Sequence, residues 1–327
     1  MPSQCTQLSL SVVIPSFNGL QLLETNLPPL KQALDYAGCE WEVIVVDDAS
    51  SDHSVEYLRT EFPWVRVLVN SLNSGFAETI NTGIFSATKD IVLALNNDVT
   101  VEKDTIIKVL PRFMDSQVFA VTPNILDPRD SRNQAIWRLK PGICWFLDAC
   151  LQSVPRSPEI PLFFSSGGSS FYDRLKLREI GGFSKFYAPF YVEDMDLSYQ
   201  AWKRGWKCLL EPAATVWHPA NTTIRKYHKK RKIKFIAAKN KHFFLWLNIT
   251  DPFLVARYFL FLPLSLLWDL LSFRKYKLVG FFWALAKSSG IMKERQRRLK
   301  AAKSSDQNII NHVRQSQICF KKSHLTN

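Results

Sequence analysis

A buried strand that ends in polar side chains is the feature that most constrains the fold of this chain. Residues 91–95 read Ile-Val-Leu-Ala-Leu, a continuous apolar run typical of a parallel strand covered on both faces. Asn96, Asn97 and Asp98 follow directly. Because ligands of open α/β sheets bind beside the carboxyl ends of the strands, this run predicts a ligand site at that edge. A polar turn is the alternative, since turns favour the same residue types.

Strand and helix patterns alternate along the first part of the chain. Strands are predicted over residues 10–15, 41–46, 65–69, 91–95 and 119–121, and helices over residues 20–36, 54–59, 77–88 and 106–114. Asn18 is predicted to cap the first helix, and Ser51 or Asp52 the second. The alternation predicts an α/β fold with a mostly parallel sheet and flanking helices. Residues 124–161, with five prolines, are predicted to cover the cleft or contact an acceptor.

Carboxylates also follow the second predicted strand. Asp47 and Asp48 lie where a nucleotide base or ribose would bind, and a carboxylate accepts hydrogen bonds from ring N–H groups and ribose hydroxyls. Asn73 and Gly75 follow the third strand, and a glycine at a helix start lets a ligand approach the backbone closely. An ordinary loop is the alternative interpretation of this segment.

A third acidic group opens the helix predicted over residues 194–203. Glu193, Asp194 and Asp196 follow an aromatic-rich run, and compensation of the helix dipole explains one such carboxylate more easily than three. A partly desolvated carboxylate has a raised pKa, which suits it to accept a proton. His218 is a candidate ligand or phosphate contact, with a purely structural role as the alternative. Before this helix, residues 163–172 are predicted as a strand entering a turn, and residues 175–180 as a short helix closed by two glycines.

These motifs occur in the order found in a known family. Asp47-Asp48, Asn73-x-Gly75, Asn96-Asn97-Asp98, Gly181-Gly182-Phe183, Glu193-Asp194-x-Asp196 and Trp217-His218 resemble the motifs of glycosyltransferase family 2. Members of that family have the GT-A nucleotide-sugar-binding fold. The chain looks most like the bacterial rhamnosyltransferase-type members, and the resemblance covers roughly residues 10–298.

The resemblance implies an enzyme that transfers a sugar, with inversion, from a dTDP-, UDP- or GDP-linked donor to a hydroxyl of a lipid-linked or cell-envelope saccharide. It implies Asp194 as the catalytic base, with Glu193 as the alternative. A divalent cation, Mg²⁺ or Mn²⁺, would be held by Asp98 and His218, with Asn96 at the first position of the family's Asp-x-Asp motif, as in many members that look like this chain. The nucleotide would be bound by Pro15, Asp47, Asp48, Asn73, Gly75 and Asn97. The chemistry agrees, because a cation neutralises a leaving diphosphate and a carboxylate accepts the proton of the attacking hydroxyl.

Charge divides the chain into three parts. Residues 1–224 carry 19 Lys and Arg against 25 Asp and Glu, a net charge of −6, whereas residues 225–303 carry 20 against 3, a net charge of +17. We interpret the first part as the nucleotide-sugar-binding glycosyltransferase domain and the second as a basic, membrane-associating helical region. Residues 304–327 are predicted to be a polar, flexible tail.

The basic region also contains a long apolar run, residues 252–271, with basic flanks on both sides. A single membrane crossing would place one of the two basic flanks on the outer side, against the preference for positive charge on the cytoplasmic side. We therefore predict helices that lie in the interface of an anionic membrane leaflet. Nucleic acid is the rival partner for this charge, and we do not expect it, because stacking motifs are missing. Six cysteines without a CxxC pair and a first segment without a secretory pattern favour a cytoplasmic protein on the inner face of the membrane.

Two other functions remain open at this stage. A nucleotidyltransferase would have a similar sheet but would need a Gly- and Lys-rich phosphate loop early in the chain, and residues 16–19 do not provide one. A sugar-nucleotide-binding protein without catalysis would not need Asp98 and Asp194.

Overall fold

Four parallel strands alternate with three helices in the first part of the chain. Our computed structural model describes residues 8–129, 133–139, 147–149, 160–219 and 229–323. The first elements are β1 (Leu10–Ser16), α1 (Leu20–Ala37), β2 (Trp41–Asp47), α2 (Ser54–Glu61), β3 (Val65–Val69), α3 (Phe76–Ser86) and β4 (Ile91–Leu95). All match the predicted elements within two residues at each end. The predicted N-cap positions are wrong, because Gly19 and His53 occupy the N-cap positions of α1 and α2 and their own side chains form no capping bond. Asp52, one of the residues predicted to cap α2, nevertheless accepts a hydrogen bond from the backbone N–H of Ser54, the first residue of that helix (3.2 Å).

The second part of the chain completes the sheet and adds antiparallel strands. Its elements are β5 (Thr100–Val101), α4 (Thr105–Val109), a 3₁₀ helix (Leu110–Met114), β6 (Val118–Leu126), β7 (Trp137–Leu139), β8 (Leu147–Ala149), β9 (Ile160–Pro161), β10 (Ser169–Asp173), α5 (Arg174–Ile180), a 3₁₀ helix (Lys185–Tyr187), α6 (Glu193–Lys203) and β11 (Lys207–Trp217). The main sheet runs in the order β3-β2-β1-β4-β10-β6-β11-β5, with β9 also on β11. Strand β10 is antiparallel to both β4 and β6, so the sheet is mixed and mostly parallel, as predicted.

The strands bury side chains on both faces of the sheet because helices cover both. On β1, Val12 and Ile14 belong to the apolar layer beneath α1, whereas Val13 belongs to the layer beneath α3. Helix α1 contributes its apolar stripe to the first layer through Leu23, Leu27, Leu30 and Leu34. Two-sided burial explains why the strands read as continuous apolar runs without alternation.

Two details of the region after β6 differ from the prediction or lie beyond the description. The prediction for residues 163–172 has the order reversed: the turn around Gly167 comes first, and β10 follows it. Most of residues 124–161, predicted to cover the cleft, lies outside the described residues. Helix α5 ends at Gly181, whose φ of 97° is the left-handed conformation that glycine adopts easily.

Five helices follow the sheet in the part of the chain that the structure describes. They are α7 (Lys230–Asn248), α8 (Pro252–Leu271), α9 (Lys275–Ala286), α10 (Ile291–Ala301) and α11 (Asp306–Ser323). Phe243 and Leu247 of α7 share an apolar core with α3 and α6. Instead of the predicted flexible tail, α11 packs Ile309, Ile310 and Val313 into the same core, because its apolar residues recur at helical spacing. The division at residue 224 remains a prediction.

Helix α8 leaves most of its apolar surface exposed. Among the described residues, α8 is the one helix that is both long enough and apolar enough to cross a membrane. Only 17% of its most apolar 18-residue window is buried. Phe259, Leu260, Leu264 and Trp268 are each at least 59% exposed. Asp269, in contrast, is buried and lies 3.3 Å from Lys277 of α9. The exposed face therefore belongs to a helix that is fixed to its neighbours by a buried charge.

Candidate active site

The carboxyl ends of β1, β2 and β4 meet at one edge of the sheet. The backbone N–H of Asp48 donates to the carbonyl of Ser16 (2.8 Å), and Asn97 Nδ2 donates to the hydroxyl of Ser16 (3.0 Å). Ser16 pairs in register with Asp47, and Pro15 directly precedes it. Four of the residues predicted to bind the nucleotide therefore surround the end of β1.

Asp47 keeps one buried acceptor atom available at this edge. Its side chain is 1% exposed, and Oδ2 accepts a hydrogen bond from the backbone N–H of Ser50 (2.9 Å). Oδ1 is buried and accepts no hydrogen bond from the part of the chain that the structure describes. A buried carboxylate oxygen without a donor is unfavourable, so a ligand that donates an N–H or O–H group here would be stabilised.

Asp48 organises the loop that follows β3. Its Oδ1 accepts hydrogen bonds from Asn70 Nδ2 (2.8 Å) and Ser74 N (2.9 Å), and its Oδ2 accepts one from Gly75 N (2.9 Å). Gly75 has φ 80° and ψ 173°, a conformation that is essentially restricted to glycine. Asn73 is exposed on the same loop. Asp48 thus holds the shape of the loop on which Asn73 and Gly75 lie.

The end of β4 places Asp98 beside His218. Asp98 is 6% exposed, and its Oδ1 lies 3.4 Å from His218 Nε2. His218 follows β11, and its backbone N–H donates to the carbonyl of Leu126 (2.9 Å), which fixes it against β6. Two residues 120 positions apart in sequence therefore face each other across the sheet edge.

The Asp98–His218 pair fits a small divalent cation in part. Two ligands at about 2.0–2.1 Å from an octahedral ion lie about 3 Å apart, close to the observed separation. Mg²⁺ usually binds one or two protein groups together with substrate phosphates and water. Within the described ranges, no cluster of three or more His, Cys, Asp or Glu side chains is placed to hold a metal. Any cation here would need oxygen atoms from its substrate.

Helix α6 begins with two carboxylates whose surroundings favour the protonated form. Burial raises the pKa of Glu193 to about 8, and the nearby charge of Asp194 adds to the shift. Burial also raises the pKa of Asp194, to about 6, against the opposing hydrogen bonds from the backbone N–H groups of Met195 and Gly167. Oε2 of Glu193 is buried without a hydrogen-bond partner among the described residues. Such a pair can exchange a proton near neutral pH.

The backbone before α6 is strained, and a side chain of α7 holds it in place. Tyr191 and Val192 have φ values of 71° and 81°, which are unusual for non-glycine residues and more so for a β-branched one. Asn240 of α7 is fully buried, and its Nδ2 donates to the carbonyls of Tyr187, Phe190 and Tyr191 at 2.8–2.9 Å. One amide from the basic region therefore fixes the segment that delivers the two carboxylates.

The turn at Gly167 and Gly168 lies between the segment that carries Asp98 and the start of α6 with Glu193 and Asp194. The backbone N–H of Asn96 donates to the carbonyl of Gly168 (2.8 Å), and a Cβ atom built on Gly168 would overlap the Asn96 side chain. A Cβ on Gly167 would lie 3.3 Å from Cβ of Asp194. The corner that carries Asp98 and the start of α6 thus lie on opposite sides of one two-residue turn.

Asp196, the third carboxylate of α6, does not belong to this cleft. It is fully buried and accepts hydrogen bonds from Tyr187 Oη (2.6 Å), Asn248 Nδ2 (2.5 Å) and Arg298 Nη1 (2.5 Å). Its role is to bind α6 to α7 and α10. Sequence reasoning missed Asn240, Asn248 and Arg298, although an asparagine within an apolar helical stripe signals a buried hydrogen bond.

Comparison with solved structures identifies the fold. Over 90% of the chain, it superimposes on a mannosyltransferase of Pyrobaculum calidifontis solved with GDP-mannose and Mn²⁺. The match covers 86% of that chain with a TM-score of 0.55 at 17% identity. This similarity identifies the GT-A fold.

The family follows from the sequence. The family model described as glycosyl transferase family 2 matches residues 11–181, which is more than half of the chain. The chain therefore belongs to glycosyl transferase family 2, as its motifs predict.

Two relatives extend the comparison. The pre-mycofactocin glycosyltransferase of Mycobacterium tuberculosis is 28% identical over 231 residues, which are 69% of this chain and 46% of the relative. The β-monoglucosyldiacylglycerol synthase of Synechocystis is 26% identical over 205 residues, 58% of this chain and 42% of the relative. The chain thus spans less than half the length of both relatives.

Proposed function

We propose that this protein is an inverting glycosyltransferase that moves a sugar from a nucleoside diphosphate to a hydroxyl of a lipid-linked or cell-envelope acceptor. The observation that carries the proposal is the turn at Gly167 and Gly168, which has the end of β4 on one side and the Asp194 carboxylate on the other. A donor bound along the sheet edge would have its anomeric carbon within reach of both groups.

Asp194 acts as the general base in this proposal. The acceptor hydroxyl gives its proton to the Asp194 carboxylate while its oxygen forms a bond to the anomeric carbon. The bond from that carbon to the diphosphate oxygen breaks, and its electron pair leaves with the nucleoside diphosphate. One displacement inverts the anomeric configuration. A pKa of about 6 leaves Asp194 ionised at neutral pH while keeping it basic enough to accept a proton.

Asp98 and His218 would hold a divalent cation, Mg²⁺ or Mn²⁺, together with the donor diphosphate. When bound, the cation supplies charge neutralisation for the leaving group. Support comes from the separation of the two side chains and from the GDP-mannose and Mn²⁺ in the mannosyltransferase that shares the fold. Pro15, Asp47, Asn73, Gly75 and Asn97 would contact the nucleotide. Asp48 would hold the loop on which Asn73 and Gly75 lie.

The acceptor is proposed to be presented at the cytoplasmic face of a membrane. The exposed apolar face of α8 and the charge of residues 225–303 support this location. One relative is named as the synthase of a glucosyldiacylglycerol, a lipid product. Rhamnosyl transfer from a dTDP-linked donor is the specific activity that we would test first, followed by UDP- and GDP-linked sugars.

Donor binding can be tested separately from catalysis. The full chain is screened by thermal shift against dTDP-, UDP- and GDP-sugars with and without Mn²⁺. A donor at 100 times its dissociation constant stabilises the native state by about 2.7 kcal/mol, so the true donor raises the melting temperature clearly. Asp98→Asn should weaken the metal-dependent part of this shift. If no nucleotide sugar binds under any of these conditions, the proposed function is wrong.

Catalysis is then measured with the donor found. Asp194→Asn should lower kcat by about 10²–10⁴-fold with donor binding retained, as expected for loss of a general base. Glu193→Gln tests the alternative base in the same way. Asp104→Asn is a matched control, because this carboxylate forms a surface ion pair with Lys108 away from the cleft. Full activity of the Asp194→Asn protein would exclude Asp194 as the base.

A further inference from the structure

A cavity separate from the proposed donor site lies among the helices of the basic region. Its volume is about 540 Å³, and residues of α7, α8, α9 and α10 line it. Pockets of this size hold small organic ligands in many proteins. It is lined by helices that follow the sheet, whereas the donor site is built from strand ends and α6.

The lining combines hydrocarbon with positive charge. Leu245, Leu254, Ile291 and other apolar side chains form most of the wall, and the two charged residues that line it are Arg257 and Arg295. Among the described residues, no Asp or Glu side chain lines the cavity. Arg295 Nη1 donates to the carbonyl of Trp246 (2.8 Å), which uses one of the five N–H donors of its guanidinium group.

The cavity is continuous with the exposed apolar surface. Phe259, Leu285 and Met292 line the cavity and are also 59%, 53% and 66% exposed. The same surface continues along α8 through Leu260, Leu264 and Leu267. A hydrocarbon chain could therefore enter from the side of the molecule on which apolar groups are already exposed, without passing through water.

We infer that this cavity binds one anionic membrane lipid, with a hydrocarbon chain among the apolar helices and a phosphate-bearing headgroup at Arg257 and Arg295. The apolar wall excludes a free sugar or nucleotide as the main occupant, because the polar groups of those ligands would be left without partners. The two guanidinium groups select an anion, since arginine binds phosphate oxygens in bidentate fashion.

Helix α7 connects this cavity with the base segment. Trp246 lines the cavity, and Asn240, six residues earlier, fixes the segment before Glu193. Six residues of helix span about 9 Å. A lipid in the cavity would therefore contact the same rigid helix that positions the start of α6. Lipid binding itself does not depend on the transferase activity and can be measured without a donor.

Native mass spectrometry of the full chain, released from neutral maltoside micelles, tests the inference. The probes are phosphatidic acid and phosphatidylcholine with the same acyl chains. We expect one phosphatidic acid to bind, at least tenfold more tightly than phosphatidylcholine, with no displacement by millimolar inorganic phosphate. Equal binding of the two lipids, binding of many lipids without saturation, or displacement by phosphate alone would overturn the inference.

Two variants test the location of the lipid. Ser288 lines the cavity, so the indole ring of Ser288→Trp should occupy part of the space needed by the hydrocarbon chain and lower the affinity for phosphatidic acid at least tenfold. The double variant Arg257→Gln, Arg295→Gln should reduce the preference over phosphatidylcholine about tenfold. The matched control Lys293→Gln, Lys300→Gln removes the same charge from exposed positions of α10 and should change neither value.

The outcomes of these variants separate the sources of binding. If the Lys293 and Lys300 control weakens binding as much as the arginine variant, general attraction to a basic surface is responsible and the cavity is not the site. If Ser288→Trp binds phosphatidic acid like the natural protein, the hydrocarbon chain does not occupy the cavity. Folding of each variant is checked by circular dichroism and by its melting temperature in the absence of lipid and donor.

Discussion

Replacement of Arg298 by methionine should destabilise the protein severely, because it leaves a buried charge without its partner. Arg298 is 6% exposed and Asp196 is fully buried, and their atoms lie 2.5 Å apart. The proximity of Asp196 raises the pKa of Arg298 well above its usual range, against the opposing effect of burial. Removal of one partner of such a pair costs about 3–5 kcal/mol.

The structure also predicts partial rescue. Asp196→Asn keeps the geometry of the acceptor of Tyr187 while removing the charge, so the double variant Asp196→Asn, Arg298→Met has no uncompensated ion. Replacement of both partners of a buried ion pair by neutral groups is often neutral or stabilising. We therefore expect the double variant to be more stable than Arg298→Met alone, with a coupling energy of about 1–3 kcal/mol.

Urea unfolding followed by circular dichroism measures these differences. Arg274→Met, on an exposed position between α8 and α9, is the control for loss of one arginine. A loss below about 1 kcal/mol for Arg298→Met, or strict additivity in the double variant, would refute the reasoning.

Four further predictions concern the site and the segment that positions it. Because the pKa of Asp194 is raised to about 6, kcat/KM should fall tenfold per unit below pH 6, and a profile that is flat to pH 5 would contradict this. Burial raises the pKa of Glu193 from 4.5 in the unfolded chain to about 8 in the folded protein. Between these values the folded protein keeps a proton that the unfolded chain loses, so the contribution of Glu193 to stability declines as the pH rises. Glu193→Gln removes this titration and should therefore raise the melting temperature at pH 8. Gly75→Ala should cost about 1–3 kcal/mol in chemical denaturation, because alanine is strained at φ 80° although the nearest atom is 3.7 Å away. Asn240→Ala should lower kcat with little change in the KM for the donor, and Asn311→Ala, at an exposed position of α11, should leave both constants unchanged.

The strand ends could be predicted from the sequence because two physical signals coincide there. Buried parallel strands read as uninterrupted apolar runs, so the polar residues after them mark the sheet edge within a residue or two. Asp47 and Asp98 each follow such a run, and parallel topology brings both to the same edge. The start of α6 was equally visible, because Glu193 and Asp194 break an aromatic segment.

The contribution of the last helices could not be predicted in the same way. Periodicity identifies a helix and its apolar face, but it does not say which polar group the helix will meet. Asn240 and Arg298 lie 49 and 102 residues from the groups they bind, Tyr191 and Asp196. Positive charge around them resembled a membrane-binding surface, so a buried guanidinium group was hidden among exposed basic residues. The prediction for residues 163–172 reversed the order of turn and strand for a simpler reason. A short run of apolar and small residues does not indicate whether the strand or the turn comes first.

The carboxylate of Asp306 has a consequence for the order in which the protein is made. It is fully buried, pairs with Lys203, and accepts a hydrogen bond from Tyr199, 107 residues earlier in the chain. At about 5–20 residues per second, the ribosome delivers it roughly 5–20 s after the helix it secures. During that interval the nascent sheet can already form, whereas the last turn of α6 still lacks the carboxylate that binds Lys203 and Tyr199. If the functions proposed for these elements are right, the strand ends proposed to bind the nucleotide should mature before the helix proposed to carry the base, and a newly made chain should hold a donor sooner than it can use one.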